Sequence, residues 1–141
     1  MDRIARTDLY MQTAELFARR GTCKRAQVGA VIVREGRIVA TGYNGAPPGM
    51  PHCLDVECDE EHGGCTRAIH AEANSIAFAA RYGVPIEHGA MYCTHAMCRA
   101  CAQLCVSAGI QTVTYAKTYR DPSGLELLQE AGLVVLKYGS V

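Results

Sequence analysis

Tryptophan is absent from this 141-residue chain, and two phenylalanines stand against seven tyrosines. Surfaces that bind nucleic acid combine aromatic stacking platforms with a basic footprint. The footprint is missing as well, because 14 Lys and Arg are balanced by 14 Asp and Glu. A nucleic-acid partner is therefore not expected, although a small basic pocket is compatible with this balance. No apolar run approaches membrane-spanning length. The start of the chain, with Asp2, Arg3, Arg6 and Asp8, has no secretory apolar core. The expectation is a cytoplasmic protein without a membrane partner. There is no internal repeat and no low-complexity tract, and the length suits a single domain over residues 1–141.

What the chain has in excess is cysteine, with eight residues, accompanied by five histidines. An even count suggests disulfides in a secreted protein, but nothing here points to secretion. In a reducing compartment clustered Cys and His more often bind metal. One group contains Cys53, Cys58 and Cys65 with His52 and His62. A second contains Cys93, Cys98, Cys101 and Cys105, and Cys23 stands apart.

Tyr10, Ala14, Phe17 and Ala18 have helical spacing, which predicts a helix over residues 2–20 stopped by Gly21. Residues 28–33 and 37–41 are β-branched runs on either side of Glu35-Gly36, the pattern of a hairpin. A loop follows at Gly42-Tyr43-Asn44-Gly45 and Pro47-Pro48. Residues 49–64 are polar and lack apolar periodicity, so a loop this long needs a function or a staple. Ile69, Ala73, Ile76, Ala77 and Ala80 mark a second helix, ended by Gly83 and Pro85. Strand, helix, strand, helix and strand are then expected at 90–93, 99–108, 112–115, 125–131 and 133–136. This order predicts an α/β fold: a three-layer α/β/α sandwich around a mixed five-stranded sheet, a hairpin first and parallel strands after it.

The chemistry concentrates in two stretches. His70-Ala71-Glu72 opens the second helix, and Cys98 and Cys101 lie three apart at the start of the third. A helix N-terminus favours thiolates. One imidazole and two thiolates balance the charge of Zn²⁺ and leave one of four positions open, the arrangement of a catalytic site. Glu72, two residues from the histidine, is placed to carry protons. A lone C-x-x-C also fits a redox dithiol or half of a structural zinc site. It is the conjunction with H-x-E that favours catalysis, a pattern described for zinc deaminases.

With these motifs the chain resembles the cytidine and deoxycytidylate deaminase superfamily, and most specifically its deoxycytidylate deaminases. The likeness runs through Gln27-Val28-Gly29-Ala30-Val31-Ile32-Val33, Gly42-Tyr43-Asn44-Gly45, the Cys/His loop, the stretch 67–74 and Met91-Tyr92-Cys93-Thr94. The resemblance implies a cytidine deaminase-like fold and hydrolytic deamination of dCMP to dUMP, which supplies dTTP synthesis. In it His70, Cys98 and Cys101 hold zinc, and Glu72 moves protons to the base and to the departing ammonia. Asn44 meets base and sugar, Arg25 is the candidate for the phosphate, and Tyr115 and Tyr119 are candidates for the sugar side. Arg25 as a solvated charge, and the tyrosines as half-buried core residues, are the competing readings. The resemblance further implies a homo-oligomer, typically hexameric, activated by dCTP and inhibited by dTTP. Gly42, Tyr43, Asn44 and Gly45 are then the effector residues, although Tyr43 also reads as a packing residue.

One departure stands out: the family usually places proline before the first cysteine of the pair, and here Met97 does so. Some relatives carry a structural zinc, and the set expected here is Cys23, Cys53, His62 and Cys65, with Cys58 as substitute and His52 outside it. Cys93 and Cys105 read as small core residues. Two rival readings remain at this point: a superfamily deaminase acting on another cytosine nucleotide or nucleoside, and a zinc-stapled nucleotide-sensing module without catalysis.

Overall fold

The computed structural model describes residues 1–56, 60–61, 64–65 and 67–139, with the side chains of 60–61 and 64–65 excepted. In chain order its elements are α1 (Arg6–Ala18), β1 (Gly29–Arg34), β2 (Arg37–Tyr43), β3 (Glu60–Glu61), β4 (Gly64–Cys65), α2 (Ala71–Tyr82), β5 (Ala90–His95), α3 (Arg99–Ser107), β6 (Thr112–Lys117), α4 (Ser123–Glu130) and β7 (Val134–Lys137). The main sheet has the order β2-β1-β5-β6-β7, while β3 and β4 form a separate two-stranded ribbon inside the Cys/His loop. The hairpin turns at Glu35 and Gly36, both with positive φ, a twist that suits tightly joined antiparallel strands. A bulge follows: Ile32 faces Ala40 but Val33 faces Ile38, so Val39 is the extra residue.

The expected mixed sheet is present, and its pairing has a definite logic. β1 is antiparallel to both β2 and β5, whereas β5, β6 and β7 run parallel. The crossover from β2 through α2 therefore steps over β1 and brings β5 back in the direction of β2. α1 is shorter than residues 2–20, since no side chain caps it at Ala5 and the chain turns off after Ala18.

Alternation along the strands separates two cores. Ala30, Ile32, Met91, Cys93 and Val113 join Ala71, Ala79, Ala102, Cys105 and Leu128 beneath α2, α3 and α4. Val31 and Val33 face the other way and meet Tyr10 and Ala14 of α1, with Tyr92 packed against them. Each fully buried Val or Ile side chain contributes about 1.5–3 kcal/mol relative to exposure. The layers are thus one helix, the sheet, then three helices.

Gly42 decides where α2 begins. A Cβ at this position would lie 2.3 Å from the Ala71 carbonyl oxygen and 2.7 Å from the Ser75 nitrogen. Only glycine lets the first turn of α2 rest on β2 in this way. That turn and the start of α3 meet at one end of the sheet, where α/β folds collect their sites. No described helix is long and apolar enough to cross a membrane.

Candidate active site

His70 is the N-cap of α2 and keeps an extended backbone, φ −65° and ψ 150°. Its ring therefore lies ahead of the helix, not on its flank. The residue before it is clamped: Gly45 N–H donates to the Ile69 carbonyl at 3.1 Å, and Ile69 N–H to the Gly45 carbonyl at 2.8 Å. Cys98 caps α3 in the same manner, and its sulfur accepts the Cys101 backbone N–H at 3.5 Å. Both caps point into one space. The Cys98 and Cys101 sulfurs lie 3.4 and 3.5 Å from His70 Nδ1, and the three ligand atoms are all within 4.8 Å of one another.

These spacings fit zinc. Zn–S and Zn–N bonds of about 2.3 and 2.0 Å in a tetrahedron put sulfur and nitrogen about 3.5 Å apart. Among the described residues this is the only cluster of three or more such side chains. Three ligands leave the fourth vertex for water or substrate.

Electrostatics divide the two thiols. A hydrogen bond from Cys101, helped by His70, holds Cys98 far below the usual thiol range, at about 4. The same hydrogen bond, with burial and the nearby Glu72, holds Cys101 above it. One proton is thus shared by the pair until a dication replaces it. Glu72 is 3% exposed in the first turn of α2. Burial raises its carboxyl above the ordinary value of 4.5, against the pull of its own backbone N–H and of His70. A buried carboxyl poised to hold a proton, beside a three-ligand cluster, is equipment for acid–base work.

A cavity of about 340 Å³ opens on this group. His70, Glu72 and Cys98 form part of its wall, and Asn44, Arg25 and Tyr119 contribute to it as well. Asn44 is buried, and its amide is engaged at both ends: Oδ1 accepts from Val28 N–H at 2.8 Å, and Nδ2 donates to the Ala26 carbonyl at 2.7 Å. It thereby shapes the segment that carries Arg25. Tyr115 stands outside this wall, half-buried on β6 opposite Cys93. Two residues not singled out from the sequence do belong to it: Arg120, adjacent to Tyr119, and His95, just ahead of the cysteine pair. Their signal was proximity to residues already chosen. Thr94 Oγ1 and His95 Nδ1 are 2.8 Å apart, and burial followed by the Lys117 charge lowers the His95 pKa.

The Gly-Tyr-Asn-Gly stretch, expected as a loop but with Gly42 and Tyr43 completing β2, is split between two cavities. Asn44 faces the first, whereas Gly42, Tyr43 and Gly45 line a second of about 420 Å³ with Asn74, Phe78, Arg81 and Tyr82. Asn74 Nδ2 donates to the Tyr43 carbonyl at 2.7 Å, which ties the end of β2 to α2. Of the expected second zinc set, Cys23 is half-buried in the wall of the first cavity and Cys53 is buried. Cys58 and His62 lie outside the described residues, and Cys65 is described only by its backbone in β4. His52 Nδ1 accepts the Ala46 N–H at 3.1 Å and lies 2.8 Å from Thr22 Oγ1, so this nitrogen is occupied by hydrogen bonds.

Comparison with known proteins agrees with this chemistry. The family model for the cytidine and deoxycytidylate deaminase zinc-binding region matches residues 5–117. The chain belongs to this deaminase family. It is 42% identical over 136 residues to ComE operon protein 2 of Bacillus subtilis, covering 96% of this chain and 72% of that one. To the deoxycytidylate deaminase of Saccharomyces cerevisiae it is 35% identical over 136 residues, covering 92% of this chain but 43% of the yeast enzyme. The deoxycytidylate deaminase of phage T4 is 32% identical over 165 residues, with 89% and 86% covered. Among solved structures, the dCMP deaminase of cyanophage S-TIM5 in complex with dCMP and dUMP superposes with a TM-score of 0.86 at 35% identity, covering 97% of this chain and 99% of that one. The sheet and helices found here are thus those of a cytidine deaminase-like fold, and the match to the family's zinc-binding region includes His70, Cys98 and Cys101, the candidate metal cluster.

Proposed function

We propose that this deaminase acts on deoxycytidylate, converting dCMP and water to dUMP and ammonia. The observation that carries the reading is the three-ligand cluster with its open vertex and a buried Glu72, at one end of a nucleotide-sized cavity. The cyanophage relative, which binds dCMP and dUMP in the same fold, supports the choice of nucleotide. When bound, zinc supplies Lewis acidity and lowers the pKa of water to about 7. Glu72 would take one proton from water as its oxygen adds to C4 and deliver that proton to N3; it would then take the proton of the new C4 hydroxyl and give it to the amino group, so that the C4–N bond breaks and ammonia leaves. Its raised pKa suits a group that must both accept and return a proton. Asn44 holds the wall against base and sugar. Arg25, with Arg120 on the same wall, meets the phosphate, and Tyr119 flanks the sugar. Tyr115, outside the cavity wall, is the weaker candidate for the sugar side.

The finer parts of the proposal concern regulation and assembly. Product dUMP supplies dTTP synthesis, dCTP activates, and dTTP inhibits. The second cavity, with Gly42, Tyr43 and Gly45 on its wall and Arg81 available for phosphate, is the effector site of a homo-oligomer, a hexamer by family likeness. A second zinc is held by Cys23, Cys53, His62 and Cys65, with Cys58 as substitute. Ammonia release from dCMP, dCTP, deoxycytidine and a tRNA anticodon loop, each with and without dCTP and dTTP, tests the substrate and the effectors together. Turnover of dCMP is expected to dominate. Binding of dCMP without ammonia release would instead identify a nucleotide sensor. Metal analysis tests the zinc count: one zinc per chain, not two, removes the structural site.

A further inference from the structure

We infer that Gly124, in the first turn of α4, and the buried side chain of Met97 form a clamp that positions Cys98. The inference rests on reading His70, Cys98 and Cys101 as metal ligands. A Cβ at Gly124 would lie 2.1 Å from the Met97 carbonyl oxygen and 2.9 Å from both the carbonyl carbon and the oxygen of Cys98. All three are backbone atoms, so no flexible side-chain tip can move aside. The Cys98 carbonyl that would be displaced accepts the Ala102 N–H at 3.0 Å, a hydrogen bond of the opening turn of α3. That turn also directs the Cys101 N–H onto the Cys98 sulfur. Pushing on this peptide therefore moves both sulfurs.

The opposite side of the peptide is held by Met97. Its side chain is 2% exposed, and its sulfur lies 3.7 Å from Cys105 Sγ, which is in turn 3.8 Å from the Met91 sulfur. Met97 is thereby keyed into α3 and β5 while α4 closes on its carbonyl. Methionine has no ring to restrict φ, so the backbone ahead of Cys98 takes its rigidity from these two contacts. Two helices and a strand do here what a ring would do locally. Gly124 lies outside the cavity wall and Met97 borders it with its side chain buried, so both act here through Cys98 as positioning residues.

Co²⁺ is the probe, because its visible spectrum reports thiolate ligation and tetrahedral geometry without turnover. Purified protein is stripped of metal and titrated with Co²⁺, the spectrum of Cys98→Ser, which keeps the proposed second zinc set, is subtracted, and Zn²⁺ affinity is measured by chelator competition. We expect Gly124→Ala to weaken metal binding by about ten-fold or more, the scale of losses when the support of a ligand is removed. Its cobalt bands should also shift. Gly89→Ala is the control, since Gly89 is also crowded, though less tightly, with a Cβ 2.8 Å from the Ile86 carbonyl oxygen, but lies at the entry to β5 away from the ligands. It should lower the melting temperature and leave the cobalt spectrum alone. If Gly124→Ala does not fold, Met97→Ala and Met97→Leu decide. The alanine variant should lose affinity, and the leucine variant, which refills the volume, should recover it. Wild-type spectrum and affinity in Gly124→Ala, or in Met97→Ala where the glycine variant does not fold, overturn the clamp. Equal affinity losses in Gly124→Ala and Gly89→Ala would overturn it too. Failure of the unaltered protein to give a tetrahedral thiolate spectrum would instead strike the metal reading beneath it.

Discussion

Two pairs of cysteines share the same corner of the fold and have opposite chemistry. Cys98 and Cys101 stand at the open start of α3, where a sulfur accepts a helix N–H and an imidazole lies within 3.5 Å. Cys93 on β5 and Cys105 on α3 are wholly buried in the core. Burial pushes Cys105 up to about 12 and Cys93 well above the usual thiol range, while Cys98 is drawn down to about 4. Helix starts make ligands, and the apolar interior makes inert volume. A few ångströms of placement separate the two.

The largest effect should come from exchanging the pairs' roles. Cys98→Ser or Cys101→Ser should lose zinc on dialysis against a chelator and reduce ammonia release to background, whereas Cys105→Ser and Cys93→Ser should retain metal. Next in size is Glu72→Gln, which leaves the tripod intact and should lower turnover by about 10²–10⁴-fold at unchanged zinc content. Substantial residual turnover would remove Glu72 from proton transfer. A third test contrasts the thiols directly. In metal-free protein at pH 6, iodoacetamide followed by mass spectrometry should modify Cys98 and leave Cys93 and Cys105 untouched.

The pH dependence of stability gives a smaller effect. The folded protein holds the Glu72 proton more tightly than the unfolded chain, so this carboxyl favours the fold below 4.5. That contribution is lost as pH rises through the raised value. Metal-free Glu72→Gln should therefore melt higher than its parent at neutral pH, and the difference should shrink as pH falls toward 4.5. The smallest effect concerns the inert pair: Cys105→Ser places a hydroxyl among Met91 and Met97 and should cost about 1–3 kcal/mol in denaturant unfolding, with little change in metal affinity.

Local rules carried much of this molecule from sequence to structure. The hairpin at Glu35 and Gly36, the helix starts at His70 and Cys98, and the strand–helix alternation after them were all readable because each depends on neighbouring residues. Asn44 was chosen as a residue that meets base and sugar, yet its amide is also the brace for residues 26–28, a role that exists only once β2 lies beside that segment. Arg120 and His95 escaped notice for the same reason: one follows β6 and the other ends β5, and only parallel pairing of those strands puts both on one wall.

By itself, then, the amino-acid sequence determined the metal-binding chemistry. Spacings of two and three residues at a helix start lie within one turn, so H-x-E and C-x-x-C need nothing distant to place their side chains. The tertiary structure decided which ends of which helices meet and which thiol keeps the shared proton. It also decided that Gly42, Tyr43 and Gly45 look into one cavity while Asn44 looks into the other. Those outcomes depend on contacts between residues far apart in the chain, and short-range spacing carries no record of them.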